Sequence, residues 1–240
     1  MHNIESIPID SIPKFNVEEL PNSSFNVAIG RRRSGKSYLI DDIVNKMIKA
    51  KMVDCVFLFT ATDAGFDWIE PEFRFDTIEP LEQLVENYRT MNEYNKVAPK
   101  KDQIKIKTVV IIDDMATKLK AKECCALLSR LATNGRHVAY APLALHFFIL
   151  SQSLTLCPRT TRLNTDVIFC NSIASVTELE MILDETWYVC DSSRDGKKQG
   201  RKLYNELCNS KDFLFCCIEN HRQNCRTYSD YIKTHVADAK

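Results

Sequence analysis

The stretch Gly30-Arg31-Arg32-Arg33-Ser34-Gly35-Lys36-Ser37 constrains this chain more than any other, because of what flanks it. Before it runs an apolar segment, Phe25-Asn26-Val27-Ala28-Ile29, and after it the apolar residues Leu39, Ile40, Ile43, Val44, Met47 and Ile48 recur at helical spacing. A strand, a tight turn of the form G-x-x-x-x-G-K-[ST] and a helix make a P-loop. Such a turn aims several backbone N–H groups inward, and the helix that opens at Lys36 adds its unsatisfied amides and the positive end of its dipole. Phosphate is the natural guest. Gly30, Arg31, Arg32, Arg33, Ser34, Gly35, Lys36 and Ser37 are therefore the candidate nucleotide-binding set. Lys36 is placed to reach the β and γ phosphates of ATP, and Ser37 to supply one oxygen ligand of an octahedral Mg²⁺. The competing interpretation is a basic turn that binds nothing. It must explain why, of only six glycines in 240 residues, two stand at the two required places.

The next apolar run, Val53 to Thr60, is nearly continuous, the pattern of a strand buried on both faces of a parallel sheet. An α/β fold follows, a mostly parallel sheet flanked by helices. Residues 1–24, with Pro8, Pro13 and Pro21, read as an extended lead-in that drapes over a domain spanning 25–240. Within that domain 25–170 form the core, and 171–240 complete the sheet. Asp63 to Pro80 reads as a loop whose Phe66, Trp68, Phe73 and Phe75 form a satellite core. Leu81 to Tyr94 reads as a helix, and Lys96 to Lys107 as a basic connector.

Thr108-Val109-Val110-Ile111-Ile112-Asp113-Asp114-Met115 is a β-branched strand ending in two acids. That is the Walker B form, and it brings Asp113 to the carboxyl edge of the sheet beside the P-loop, where Mg²⁺ needs a carboxylate. Asp114 then serves as general base, polarising the attacking water; its simpler role is a turn residue. Lys122 to Thr133 is helical, with Cys124, Leu127, Leu128 and Leu131 on one face and Asn134-Gly135 as the stop. Leu145 to Leu150 is a buried strand followed by Ser151-Gln152-Ser153, and Gln152 is the candidate γ-phosphate sensor. Asp166 to Cys170 and Phe213 to Ile218 give further strands, with a helix near Ser175 to Leu183. Arg194 to Lys202 reads as a mobile basic loop. Its Lys197, Lys198, Arg201 and Lys202 are either DNA contacts or solvated surface.

Thirty-two basic and 32 acidic residues cancel, so any nucleic-acid contact must come from local patches. Ten cysteines in a chain this large, with no C-x-x-C and two adjacent pairs, read as free thiols in a reducing compartment. No secretory signal pattern opens the chain, and no apolar run reaches the length of a membrane span. An intracellular protein is expected.

The set Gly30 to Ser37, Ile111 to Met115, Asn134-Gly135-Arg136-His137 and Leu150-Ser151-Gln152 resembles the FtsK/HerA superfamily of DNA-pumping ATPases. Within it, the chain is similar to the poxvirus-type genome packaging ATPases of large DNA viruses and their virophages, from Phe25 to Cys170. The resemblance implies a RecA-like core, a ring of subunits (pentamer or hexamer), double-stranded DNA in its channel and a capsid or portal partner. It implies host cytoplasm, viral factory or virion as the setting. It also implies an arginine finger, which matches Arg136 best, with Arg159 and Arg162 as rivals. Arg31, Arg32 and Arg33 depart from the small residues usual in that loop. The expected function is MgATP-driven packaging of duplex DNA. A P-loop small-molecule kinase and a nucleotide-gated switch are the alternatives.

Overall fold

A computed structural model describes residues 9–62, 65–113, 115, 122–134, 138–173, 175–186, 194–222, 225 and 228–237. Its strands are β1 (Ser24–Gly30), β2 (Cys55–Thr60), β3 (Arg74–Phe75), β4 (Lys107–Asp113), β5 (Ala144–Ser151), β6 (Val167–Asn171), β7 (Phe215–Glu219) and β8 (Ile232–His235). They form one eight-stranded sheet in the order β3-β2-β4-β5-β1-β6-β7-β8. The first six are mutually parallel, and β7 and β8 add antiparallel pairings at one side. The helices are α1 (Lys36–Lys49), α2 (Glu79–Val97), α3 (Lys122–Asn134), α4 (Arg159–Leu163), α5 (Val176–Thr186), α6 (Arg194–Ser210) and α7 (Tyr228–Tyr231).

Strand periodicity of two divides the core into two layers. Val27, Ile29, Val110, Ile112, Phe147, Ile149 and Ile168 point to the face covered by α2, α3, α5 and α6. Ala28, Val109, Ile111, Phe148, Leu150 and Phe169 point to the opposite face, where Leu39, Ile40, Ile43, Val44 and Met47 of α1 cover them. Burial on both faces is why these strands read as unbroken apolar runs. The lead-in also packs on the α1 face, through Phe15, Val17 and Leu20. Two short 3-10 turns, Ile9–Ser11 and Val17–Glu19, interrupt it, and the backbone N–H of Phe15 donates to Thr234 of β8 at 2.9 Å.

The loop after β2 differs from expectation by containing β3, which pairs with Leu58 and Phe59. Its aromatics do form a satellite core: Phe73 and Phe75 pack on Phe57, Phe75 stacks on Phe59 with centroids 5.1 Å apart, and the Trp68 indole N–H donates to Asp41.

The basic segment Arg194 to Lys202 is a correction. It is the first half of α6, not a mobile loop. Each glycine in a helix costs about 1 kcal/mol, but Leu203, Tyr204 and Leu207 follow at helical spacing and are buried, which holds the helix down. Arg201 pairs with Glu180 of α5, and Lys202 lies 3.7 Å from Glu206. Phe213 is a second correction, since it sits in the turn before β7 and not in the strand.

Candidate nucleotide-binding site

Parallel strands put their carboxyl ends on one edge. In register, Ile29 faces Ser151, Gly30 faces Asn171 and Thr60 faces Asp113, so β1, β2, β4, β5 and β6 all terminate there. In open α/β sheets that edge is where ligands bind.

The turn from β1 to α1 has the conformations a phosphate loop needs. Gly35 caps α1 in the left-handed region at φ 86, and Arg33 is left-handed too at φ 63. Gly30 is required for a different reason: a Cβ there would stand 2.5 Å from the Asn171 carbonyl oxygen and 2.5 Å from Ser34 Oγ. Ser34 Oγ is buried without a hydrogen-bond partner. Arg31, Arg32 and Arg33 are exposed. Lys36 reaches back across the loop, its Nζ donating to the Gly30 carbonyl at 2.9 Å and the Arg31 carbonyl at 3.0 Å. This ammonium is already held over the loop that would receive phosphate.

Ser37 Oγ donates to Asp113 Oδ2 at 2.9 Å. The two motifs, separated by two strands and two helices in sequence, thus meet as a hydroxyl and a carboxylate. Hard oxygen donors in this pairing suit Mg²⁺, which is commonly held by one or two carboxylates and completes its shell with substrate phosphates and water. Among the described residues no cluster of three or more His, Cys, Asp or Glu is placed to hold a metal.

Gln152 follows β5 directly, and it is exposed. Ser151, the register partner of Ile29, bonds through its Oγ to the Ser153 carbonyl at 2.7 Å and so fixes the turn that carries Gln152. Asp114 and Arg136 lie outside the described residues, as does the side chain of Lys197. Lys198 and Lys202 are exposed on α6. Of the rival arginines, Arg162 is a correction: it is buried, forks onto Glu185 with two bonds of 2.8 Å and donates to the Cys157 carbonyl at 2.8 Å. A guanidinium so engaged anchors α4 to α5 and does not project toward a neighbour. Arg159 is largely exposed and lies 3.5 Å from the same Glu185.

The nine described cysteines are free. Burial pushes the thiols of Cys170 and Cys216 well above the ordinary range and that of Cys157 up to about 12, so they stay protonated and inert. Sequence reading missed Asn171, whose carbonyl closes one side of the loop against Gly30. Only the pairing of β1 with β6 reveals it.

The family described as "Poxvirus A32 protein" matches residues 12–194. No curated protein matches the chain in sequence. Among solved structures, the genome packaging NTPase B204 from Sulfolobus turreted icosahedral virus 2 in complex with ATP-gammaS is similar, at 18% identity and a TM-score of 0.57. That match covers 90% of this chain and 98% of B204. The sulfate complex of B204 gives a TM-score of 0.61 at 16% identity, covering 92% of this chain and 100% of the other. The pCW3 conjugation coupling protein TcpA, with ATPgS, gives 0.59 at 14% identity, covering 95% of this chain and 69% of TcpA. At these identities the likeness is one of fold. Among the described residues no helix is long and apolar enough to cross a membrane.

Proposed function

The chain belongs to the Poxvirus A32 protein family, and from that membership we propose that it is an ATP-hydrolysing motor that packages double-stranded viral DNA. B204, whose fold it shares, is described as a genome packaging NTPase and has been seen with ATP-gammaS. The observation that carries the proposal is the 2.9 Å bond between Ser37 and Asp113, which unites phosphate loop and acidic strand at one point. The kinase alternative has no comparable support.

The division of labour follows from charge and position. Amides of the loop and of the start of α1 bind the phosphates, and the Lys36 ammonium neutralises the β and γ groups. Ser37 and Asp113 would hold Mg²⁺, which would supply charge neutralisation and orientation of the phosphates. Asp114 accepts the proton of the attacking water, and Gln152, at the end of the strand beside β1, senses the γ-phosphate. Arg136 acts in trans as the finger, an effect of about 10³ to 10⁵ in rate where such fingers operate. This requires a ring, pentameric or hexameric, with duplex DNA in its channel and a capsid or portal component as its dock. The setting is the host cytoplasm or viral factory, and association with the virion follows from that docking partner. Lys197, Lys198, Arg201 and Lys202, carried on α6, contribute cationic surface for phosphate backbone.

Subunit mixing tests the ring. Arg136→Ala and Lys36→Ala chains, each inactive alone, regain turnover when mixed, because a Lys36→Ala subunit lends its arginine to a neighbour with an intact loop. A mixture that assembles yet stays inactive contradicts an in-trans role for Arg136.

A further inference from the structure

We propose that Phe213 is the platform against which the base of the bound nucleotide rests, an assignment that stands on the nucleotide reading of the P-loop above. β7 runs antiparallel to β6, with Cys216 opposite Cys170, and Asn171 lies opposite Gly30. The amino end of β7 therefore emerges on the same edge as the phosphate loop, and the turn between α6 and β7 lies beside that loop. Phe213 is the residue that makes contact. Its Cδ1 is 2.9 Å from where a Cβ on Gly35 would be, so the ring edge lies directly on the Gly35 backbone.

Backbone preference does not account for a phenylalanine there, and packing does so only in part. The residue is 56% exposed, so more than half of its surface is left to solvent. Its φ of 57 is left-handed, where a bulky residue is strained and glycine or asparagine is favoured. Strain of this kind concentrates at ligand sites. Of the five described non-glycine residues with positive φ, Arg33, Ser172 and Phe213 all lie on this one edge, in the phosphate loop, just after β6 and just before β7. A second aromatic, Tyr38, is 38% exposed in the first turn of α1, one residue beyond Ser37.

Phosphates anchored on the amides around Gly35, Lys36 and Ser37 leave the sugar and base to extend past the loop. An exposed ring resting on Gly35 offers them a flat apolar surface. Stacking on a ring face is recognition by shape, available to every base and strongest for the larger face of a purine. The site thus takes a nucleoside triphosphate with a preference for purines.

Titration of the full chain with ATP and with inorganic triphosphate, both with Mg²⁺, tests this. Phe213→Ala should weaken ATP binding about tenfold, in line with the loss of one base–aromatic stack, and leave triphosphate affinity unchanged, which also reports that the variant is folded. Phe213→Trp should restore ATP affinity, and its added emission should be quenched by ATP and not by triphosphate. Unchanged ATP affinity in Phe213→Ala overturns the proposal. So does an equal loss for ATP and triphosphate, which would make Phe213 a prop for the loop. A wild-type chain that binds neither ligand removes the phosphate site itself, whereas a wild type that binds both with no difference in Phe213→Ala removes only the platform.

Discussion

Replacing Gly30 by alanine puts a methyl carbon 2.5 Å from the Asn171 carbonyl oxygen and 2.5 Å from Ser34 Oγ. Ordinary C···O contacts begin at about 3.3 Å, so each overlap is roughly 0.8 Å. The two neighbours differ in how they can yield. Ser34 Oγ is a side-chain atom with no hydrogen bond to lose. The Asn171 carbonyl is backbone, at the end of a strand laddered to β1 from Asn26 to Gly30, and it can retreat only by opening the sheet beside the loop. Overpacking of this kind costs about 1–3 kcal/mol. For a domain of this size, each kcal/mol lowers Tm by roughly 2–4 °C. Gly30→Ala should therefore melt roughly 2–12 °C below wild type by calorimetry and bind MgATP more weakly. Adding Ser34→Ala relieves one overlap and should recover only part of the loss. Gly65→Ala is the control: its φ is 89 but nothing among the described residues lies within 4 Å of the added methyl, so it pays backbone strain of about 1 kcal/mol and leaves nucleotide binding intact. A Gly30→Ala chain that melts and binds like wild type refutes the close approach of β6 to the loop. Full recovery with Ser34→Ala would refute the part assigned to Asn171.

Arg162→Ala should lower stability by about 1–3 kcal/mol in denaturant titration, because it takes two hydrogen bonds from the Glu185 carboxylate and leaves it only the exposed Arg159, and mixing it with Lys36→Ala should restore no turnover beyond what Arg162→Ala gives alone. Asp113→Asn should raise the Mg²⁺ concentration needed for half-maximal ATP binding while leaving inorganic triphosphate binding without metal nearly unchanged; equal loss in both would detach Asp113 from the metal. His146, buried against Ser24 at 2.9 Å, has its pKa pushed from 6.5 down to about 4, first by burial and then by the Lys107 charge. The unfolded chain therefore takes up this proton first. Its contribution is whole above pH 6.5, and about 3 kcal/mol is lost as pH falls to 4. His146→Gln should show a flatter decline over that window in a pH series of melts.

The layers were legible because their signals are local. Val109 to Ile112 and Phe147 to Leu150 are apolar on both faces, Leu39 to Met47 recur at helical spacing, and each pattern reflects burial that the structure then displays. The Ser37–Asp113 meeting was legible through the two motifs alone, since each fixes its own end of a parallel strand. What escaped the sequence depends on partners distant along the chain. α6 carries two glycines and a cluster of cations in its first half, which locally favour a loop; burial of Leu203, Tyr204 and Leu207 against the sheet decides otherwise. Arg162 is indistinguishable from Arg159 in sequence, and only the position of Glu185 on α5 separates an anchor from an exposed side chain. Phe213 looked like the first residue of a strand because aromatics favour strands. Its left-handed φ of 57 has no local sequence signal, since a bulky residue is disfavoured there.

Steady-state ATP turnover with and without duplex DNA tests the central claim most directly. The account predicts Mg²⁺-dependent hydrolysis that rises when duplex DNA of any sequence is added, that loses this stimulation as salt is raised, and that disappears in Lys36→Ala under both conditions. Turnover that is indifferent to DNA, or that survives in Lys36→Ala, would contradict it.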